Sequence, residues 1–233
     1  MPATGPQSDL TRHSTLFVVV VALFVTNLLI SNVIAAKAIL IFDYPLQAAD
    51  LIFPISYILG DILTEVYGFK RARRVIWIGF ACNVFAVTAI SLGQALPAHP
   101  DWTDQASYEA ILGSQPRILA ASFAAYLVGE FMNSTILAKM KVWMEGRHLW
   151  MRTIGSTVIG QGFDTAIFLT IAFYGLWPND LLFSVMLSQW LFKITYEALA
   201  TPLTYLVVNR LKRAEGIDVY DRDTNFSPFA LGK

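Results

Sequence analysis

Five sets of polar side chains recur at helical spacing along an otherwise apolar chain: Asn27/Ser31, Asp61/Glu65, Glu130/Asn133, Gln161/Asp164 and Gln189/Lys193/Glu197. Residues three or four apart share one helix face, so each set is a polar stripe. Together they offer carboxylates, amides and one ammonium. A carboxylate accepts paired hydrogen bonds or a proton, an amide both donates and accepts, and an ammonium donates. Such groups can hold a small polar solute or carry a proton. The usual parts of an enzyme are missing. His13, His99 and His148 fall outside the apolar runs, and there is no H-E-x-x-H, G-x-S-x-G or G-x-x-x-x-G-K-[ST]. Cys82, the single cysteine, sits in an apolar run without metal-ligand spacing and reads as a packing residue. No cofactor or metal is expected.

The elements that must position these stripes are membrane helices. Of 233 residues, 55% are hydrophobic and only 15% charged. Mean hydropathy is +0.53. A soluble domain carries about 25% charge, interleaved with its apolar residues. Here the apolar residues come in runs near the roughly 20 that a spanning helix needs. The runs predict spans at Leu16–Ala36, Leu51–Val66, Val75–Leu96, Ile118–Ala138, Thr153–Leu176 and Leu181–Val208. The second is the least regular, with Pro54 inside it and its uncharged stretch ending at Asp61. Alone it reads equally as a re-entrant segment. The first follows Arg12 and His13 as a signal peptide would, but it is too long and lacks a cleavage site, so it reads as a retained helix.

Loop charge sets the expected orientation. Lys70, Arg71, Arg73 and Arg74 lie in one loop, Lys139, Lys141, Arg147 and Arg152 in another, and Arg210, Lys212 and Arg213 open the tail. The intervening loops, around Asp43, over Pro97–Pro116 and at Pro178–Asp180, carry no Lys or Arg before Arg117. That alternation requires the second run to cross fully. The expected architecture is all-α: a polytopic six-transmembrane-helix bundle over residues 15–212, between a cytoplasmic segment 1–14 and a polar, extended cytoplasmic tail 213–233. The expected site is a bacterial inner membrane, with no soluble domain and the lipid bilayer as partner. A short interfacial helix is expected within Asp101–Leu112. A faint echo between T-N-L-L-I-S-N in helix 1 and G-E-F-M-N-S-T in helix 4 suggests two inverted three-helix repeats. The pairs Ala120/Ala124, Ala121/Ala125 and Ser156/Gly160 allow close helix approach, inside the bundle or in a homodimer.

Five stripes can hide from lipid only by facing one another, which makes a polar chamber. Several readings stay open. Asn27, Ser31 and Ser134 can simply join helices. Asp61 and Glu65 lie near Arg71, Arg73 and Arg74, as a structural ion-pair cluster or as a gate. Lys193 and Glu197 can pair along their own helix or serve a site. Glu130, Gln161 and Asp164 fall near midplane, where an ionisable group most often marks a pathway. Trp77, Trp143, Trp150 and Trp177 read as interfacial belt residues. Tyr57, Tyr126, Phe163 and Tyr196 can pack the core or stack on a flat ligand.

The motifs F-P-I-S-Y-I-L-G-D-I-L-T-E-V-Y-G-F (Phe53–Phe69) with R-A-R-R (Arg71–Arg74), I-S-N-V-I-A-A-K (Ile30–Lys37), G-S-T-V-I-G-Q-G-F-D-T (Gly155–Thr165) and K-I-T-Y-E-A-L-A-T-P (Lys193–Pro202) carry a resemblance. In that order they resemble the queuosine-precursor transporter family, also called the VUT or YhhQ family, from helix 1 to helix 6. The resemblance implies uptake of a 7-deazapurine: 7-cyano-7-deazaguanine, its aminomethyl relative, or queuine. It does not imply nucleic-acid binding. Asn32, Lys37, Asp61, Glu65, Gln161, Asp164, Lys193 and Glu197 fall on the family pattern. The fourth helix departs from it. Where the family more often has Gly-Gln with an acid a few residues later, this chain has Gly129-Glu130 with Asn133. The expected substrate contacts are Asn32, Glu130, Asn133, Gln161, Asp164, Lys193 and Glu197. The expected gate or ion-pair residues are Asp61, Glu65, Arg71 and Arg74, with the acids paired to the arginines. Asp164 or Glu130 would accept the N1–H and 2-amino donors of a guanine-like edge, with Gln161 and Asn32 completing the set. A substrate-capture subunit of an energy-coupling-factor importer is the competing expectation.

Overall fold

In the computed structural model, which describes residues 14–41, 44–113 and 116–230, each predicted run becomes a helix. The order is α1 (Thr15–Ile34), β1 (Ala38–Ile41), β2 (Tyr44–Gln47), a 3₁₀ turn (Ala48–Leu51), α2 (Phe53–Tyr67), α3 (Phe69–Ala95), α4 (Gln105–Leu112), α5 (Pro116–Trp143), α6 (Leu149–Phe173) and α7 (Asn179–Glu215). Residues 1–13, with Arg12 and His13, and Asp43 lie outside the described residues. The short helix expected within Asp101–Leu112 appears as α4. The architecture is all-α as expected, with one short hairpin added between α1 and α2. β1 and β2 pair antiparallel, Ala38 opposite Gln47 and Ile41 opposite Tyr44. The runs A-I-L-I and Y-P-L-Q are too short for a helix; Ile39, Ile41 and Tyr44 favour strands, and Pro45 is tolerated because a two-stranded ribbon has only edge strands.

Among the described residues, four helices are long and apolar enough to cross a membrane by length and composition: α1, α3, α6 and the one that ends in α5 at Trp143. The chain is therefore a multi-pass membrane protein. The other two predicted spans differ from a simple crossing. The 37 residues of α7 carry charges along its length and Pro202 inside it. With 15 residues, α2 is about 22 Å long at 1.5 Å per residue, short of a hydrocarbon core of about 30 Å. It is buried along nearly its whole length, from Pro54 to Tyr67. A helix enclosed by protein need not match lipid thickness, because neighbours rather than lipid surround its ends.

Close approach is concentrated where α5 crosses α6. A side chain on Gly160 would meet the Gly129 carbonyl oxygen at 2.9 Å and Asn133 Cβ at 2.7 Å. The small-residue signal at Ser156/Gly160 thus serves packing inside the bundle.

One end of the bundle is tied by a buried carboxylate. Glu65, near the end of α2, accepts from both terminal nitrogens of Arg152 on α6, with Nη2 to Oε1 at 3.2 Å. Lys212 of α7 donates to its Oε1 at 2.6 Å, and Lys141 of α5 lies 3.5 Å away. The tail lies across this cluster. Asp218 bridges Lys141 and Lys212. Beyond it, Lys141 donates to the Val219 carbonyl at 2.8 Å. The Asp221 carboxylate accepts the Phe69 N–H at 2.9 Å, placing negative charge at the first turn of α3. Arg73 donates to the carbonyls of Asn225 at 2.7 Å and Ser227 at 2.9 Å. Trp77 donates to the Pro228 carbonyl at 2.8 Å. Gly68, at φ +83°, turns the chain between α2 and α3, where a side chain would strike Val219 at 2.6 Å. The tail is irregular, as expected, yet docked. Burial acts to raise the Asp218 carboxyl, but hydrogen bonds and charge from Lys141 and Lys212 outweigh it and hold the group below its ordinary pKa. A lowered folded pKa contributes stability above the unfolded value, lost as pH falls through the folded one.

Two outcomes follow for unfolding in detergent. Arg152→Ala removes the forked partner of a buried carboxylate and should cost about 3 kcal/mol. Gly160→Val should cost about 1–3 kcal/mol by overpacking the α5–α6 crossing. An unchanged unfolding midpoint in either variant would contradict the corresponding contact.

Candidate functional site

Toward the opposite end from Glu65, α1, α2, α3, α5, α6 and α7 surround a cavity of about 490 Å³. Volumes of roughly 300–1,000 Å³ suit a small-molecule ligand. Ala36, Asp50 and the α4 residues Ile111 and Leu112 line its outer part. The helices build its polar wall locally. The Asn32 amide nitrogen on α1 donates to Asn83 Oδ1 on α3 at 2.6 Å, and Asn83 donates to the Gly79 carbonyl at 3.1 Å. Across the cavity, Lys193 of α7 donates to Asp164 Oδ2 of α6 at 2.7 Å and to Thr165 Oγ1 at 3.2 Å. Its ammonium also sits 5.4 Å from the centre of the Phe53 ring. Phe123, Tyr126 and Phe168 add aromatic surface, and Tyr126 is fixed by donating to the Ile76 carbonyl at 3.0 Å. The chemistry on offer is an ion pair, two amides and flat apolar faces. That combination suits a planar solute with hydrogen-bonding edges.

A turn further toward Glu65 lies a second layer that does not line the cavity: Asp61, Glu130, Asn133, Gln161 and Glu197, each no more than 1% exposed. Asn133 donates to Asp61 Oδ1 at 2.6 Å. Asp61 Oδ2, both Glu130 oxygens, Asn133 Oδ1, Gln161 Oε1 and Glu197 Oε1 have no hydrogen-bond partner among the described residues. Glu130 fits because Gly60 has no side chain; a Cβ there would lie 2.1 Å from Glu130 Oε1.

The predicted site residues therefore separate into three levels. Asn32, Asp164 and Lys193 reach the cavity, whereas Glu130, Asn133, Gln161 and Glu197 form the layer beneath it. Lys193 pairs with Asp164 across two helices and not with Glu197 along its own. The pairing of Asp61 and Glu65 with Arg71–Arg74 is replaced by the partners above. Glu65 takes Arg152, Lys141 and Lys212, and Asp61 takes Asn133. Arg71 lies 5.9 Å from the ring centres of Phe17 and Tyr67, Arg73 holds the tail, and Arg74 is exposed. The basic side chains that match Glu65 sit on α5, α6 and α7, where their helices converge on α2. Lys37 is exposed.

The helix-joining reading holds for Asn27, which donates to Ser56 Oγ at 2.6 Å and to the Ile52 carbonyl at 3.1 Å. It holds also for Ser134, which accepts from Thr64 at 3.1 Å. Tyr57 is buried, while Phe163 is 47% exposed on the outside. Sequence reasoning missed Asn83 and the ion-pairing role of Lys141, Arg152 and Lys212. A lone amide inside an apolar run was a usable signal for Asn83. The three cations read only as loop charge.

A family model described as "Putative vitamin uptake transporter" matches residues 47–207. A Bacillus subtilis (strain 168) protein named "Probable queuosine precursor transporter" is 28% identical over 178 residues, covering 75% of this chain and 77% of that relative. A Haemophilus influenzae protein of the same name is 26% identical, covering 53% of this chain and 50% of the relative. An Escherichia coli (strain K12) protein named "Queuosine precursor transporter" is 26% identical, covering 52% of each. In these last two the match spans about half of the relative's length. No solved structure matches the chain. With more than half of its residues matched, the chain belongs to the family described as "Putative vitamin uptake transporter", a family of membrane transporters and not of enzymes.

Proposed function

We propose that the chain imports a queuosine precursor across the bacterial inner membrane. The substrate is a 7-deazapurine: 7-cyano-7-deazaguanine, its aminomethyl relative, or queuine. Transport is secondary or facilitated. The observation that carries this reading is the Asp164–Lys193 pair, at 2.7 Å, set in an aromatic-walled cavity with Asn32 and Asn83 opposite. The deazaguanine ring itself is flat and neutral. Its N1–H and 2-amino group present two donors that Asp164 accepts together, and its 6-oxo group accepts from Lys193 or an amide. Phe53, Tyr126 and Phe168 cover its faces. The names carried by the relatives support the substrate class.

In this reading six segments cross, with α2 and the 3₁₀ turn before it as the second crossing. Both termini are cytoplasmic, residues 15–212 form the membrane domain, and residues 213–233 form the tail. The basic loops then lie on the cytoplasmic side, so the Glu65 cluster and docked tail close the cytoplasmic end. The cavity faces the outside. Import requires the Glu65 cluster to loosen as the outer rim closes.

Two measurements test this. Reporter fusions after Arg74 and within Pro97–Pro116 should report opposite sides, and the same side for both would overturn the topology. Purified protein in liposomes, without any ATPase, should take up labelled 7-cyano-7-deazaguanine. Asp164→Asn and Lys193→Met should each weaken its equilibrium binding at least about tenfold, since each leaves buried polar groups unmatched. Near-normal affinity in both would move the site elsewhere.

A further inference from the structure

Asp61, Glu130 and Glu197 come from α2, α5 and α7 and are enclosed just beneath the cavity. Asp61 lies within electrostatic range of both Glu197 and Glu130. Among the described residues no lysine or arginine forms an ion pair with any of the three, whereas Asp164 and Glu65 each have cations. The second observation is independent of acid content. Asn133, with no exposed surface, aims into the group and donates to Asp61, yet its own Oδ1 accepts nothing. Buried Gln161 is likewise left with an unmatched acceptor. Most of the unmatched buried atoms here are acceptors, with the hydroxyls of Tyr57 and Thr157 the unmatched groups that can also donate. Gly60 gives Glu130 Oε1 its place against the backbone of α2.

We propose that Asp61, Glu130 and Glu197 form a proton-binding site that couples proton entry to substrate import, with H⁺ as its ligand. The inference rests on the transport reading above. A bound proton converts a carboxylate to a carboxylic acid, removes an uncompensated charge at membrane depth, and supplies a missing donor. The step makes and breaks only O–H bonds. A proton enters from the cavity side, resides on this layer while substrate is held above, and leaves on the other side when the Glu65 cluster opens. No described group of three or more His, Cys, Asp or Glu is arranged to hold a metal ion.

The groups facing the site are few. On α2 they are Tyr57 and Glu65, the latter saturated by Arg152, Lys141 and Lys212. On α5 it is Tyr126, beside which lies Cys82 of α3. On α6 it is Asp164, engaged by Lys193 of α7. Toward this region α1 presents the neutral Asn27 and Ser31.

The experiment uses the full chain in liposomes and two readouts. With an acidic exterior, a one-unit pH gradient should drive up to about tenfold accumulation of labelled 7-cyano-7-deazaguanine at one proton per substrate. Glu130→Gln should abolish that accumulation while keeping precursor binding and substrate-for-substrate exchange. Infrared difference spectra of the substrate-free protein should show a protonated carboxyl band that Glu130→Gln, Asp61→Asn or Glu197→Gln removes. The inference is overturned if wild type exchanges precursor but ignores the pH gradient, or if a sodium gradient drives uptake instead. It is overturned equally if all three variants accumulate precursor as wild type does, or if wild type shows no such band. Failure of wild type to bind or exchange the precursor would instead overturn the substrate reading, and the spectra would still decide the proton site.

Discussion

Glu65 is a carboxylate with 1% exposure that meets cations from three other helices. A charge so enclosed is tolerable only when opposite charges and hydrogen-bond donors surround it. Satisfying it fixes where α5, α6 and α7 stand relative to α2. Because Lys141 and Lys212 also bind Asp218, the same charges dock the tail. The tail then reaches α3 through Asp221, Arg73 and Trp77. One buried anion thus organises an entire end of the bundle, and the cavity toward the other end is framed by the helices it aligns.

The polar interior has a gradient of satisfaction. At the basic end, charges are matched several times over. At the cavity, Asp164 and Lys193 match each other, and Asn32 and Asn83 match each other, leaving edges that a solute can use. Between them lies the layer of acids and amides with acceptors left over. Spare acceptor capacity is thus concentrated in the enclosed middle layer, where an added donor has most to gain.

Helix α2 is the element where sequence rules and architecture meet least directly. Its hydrophobic length falls short of a crossing, and its acids would be costly against lipid. Enclosure by α1, α3, α5 and α7 removes both objections. Large apolar side chains are instead exposed on helices around it, such as Phe85 on α3 and Phe183 and Leu199 on α7. The close α5–α6 crossing at Gly129 and Gly160 helps bring Asp164 within reach of the cavity while leaving Glu130 below it.

The sequence by itself determined what depends on local order. Apolar runs located the helices, including the short α4. Helical spacing showed that polar residues share faces, which requires an interior polar chamber. Motif order pointed to the family. The tertiary structure alone decided the partners. Glu65 takes Arg152, 87 positions away, in place of the nearby arginines, and Lys193 takes Asp164 in place of Glu197 on its own helix. It also decided depth, separating Asp164, which reaches the cavity, from Glu130, which does not. It revealed the hairpin after α1 and turned the tail into a docked strap. The physical reason is that periodicity fixes which face a side chain occupies, whereas its partner depends on the rotation, crossing and height of other helices. Those are set by packing among residues far apart in the chain, and spacing along one helix carries no record of them.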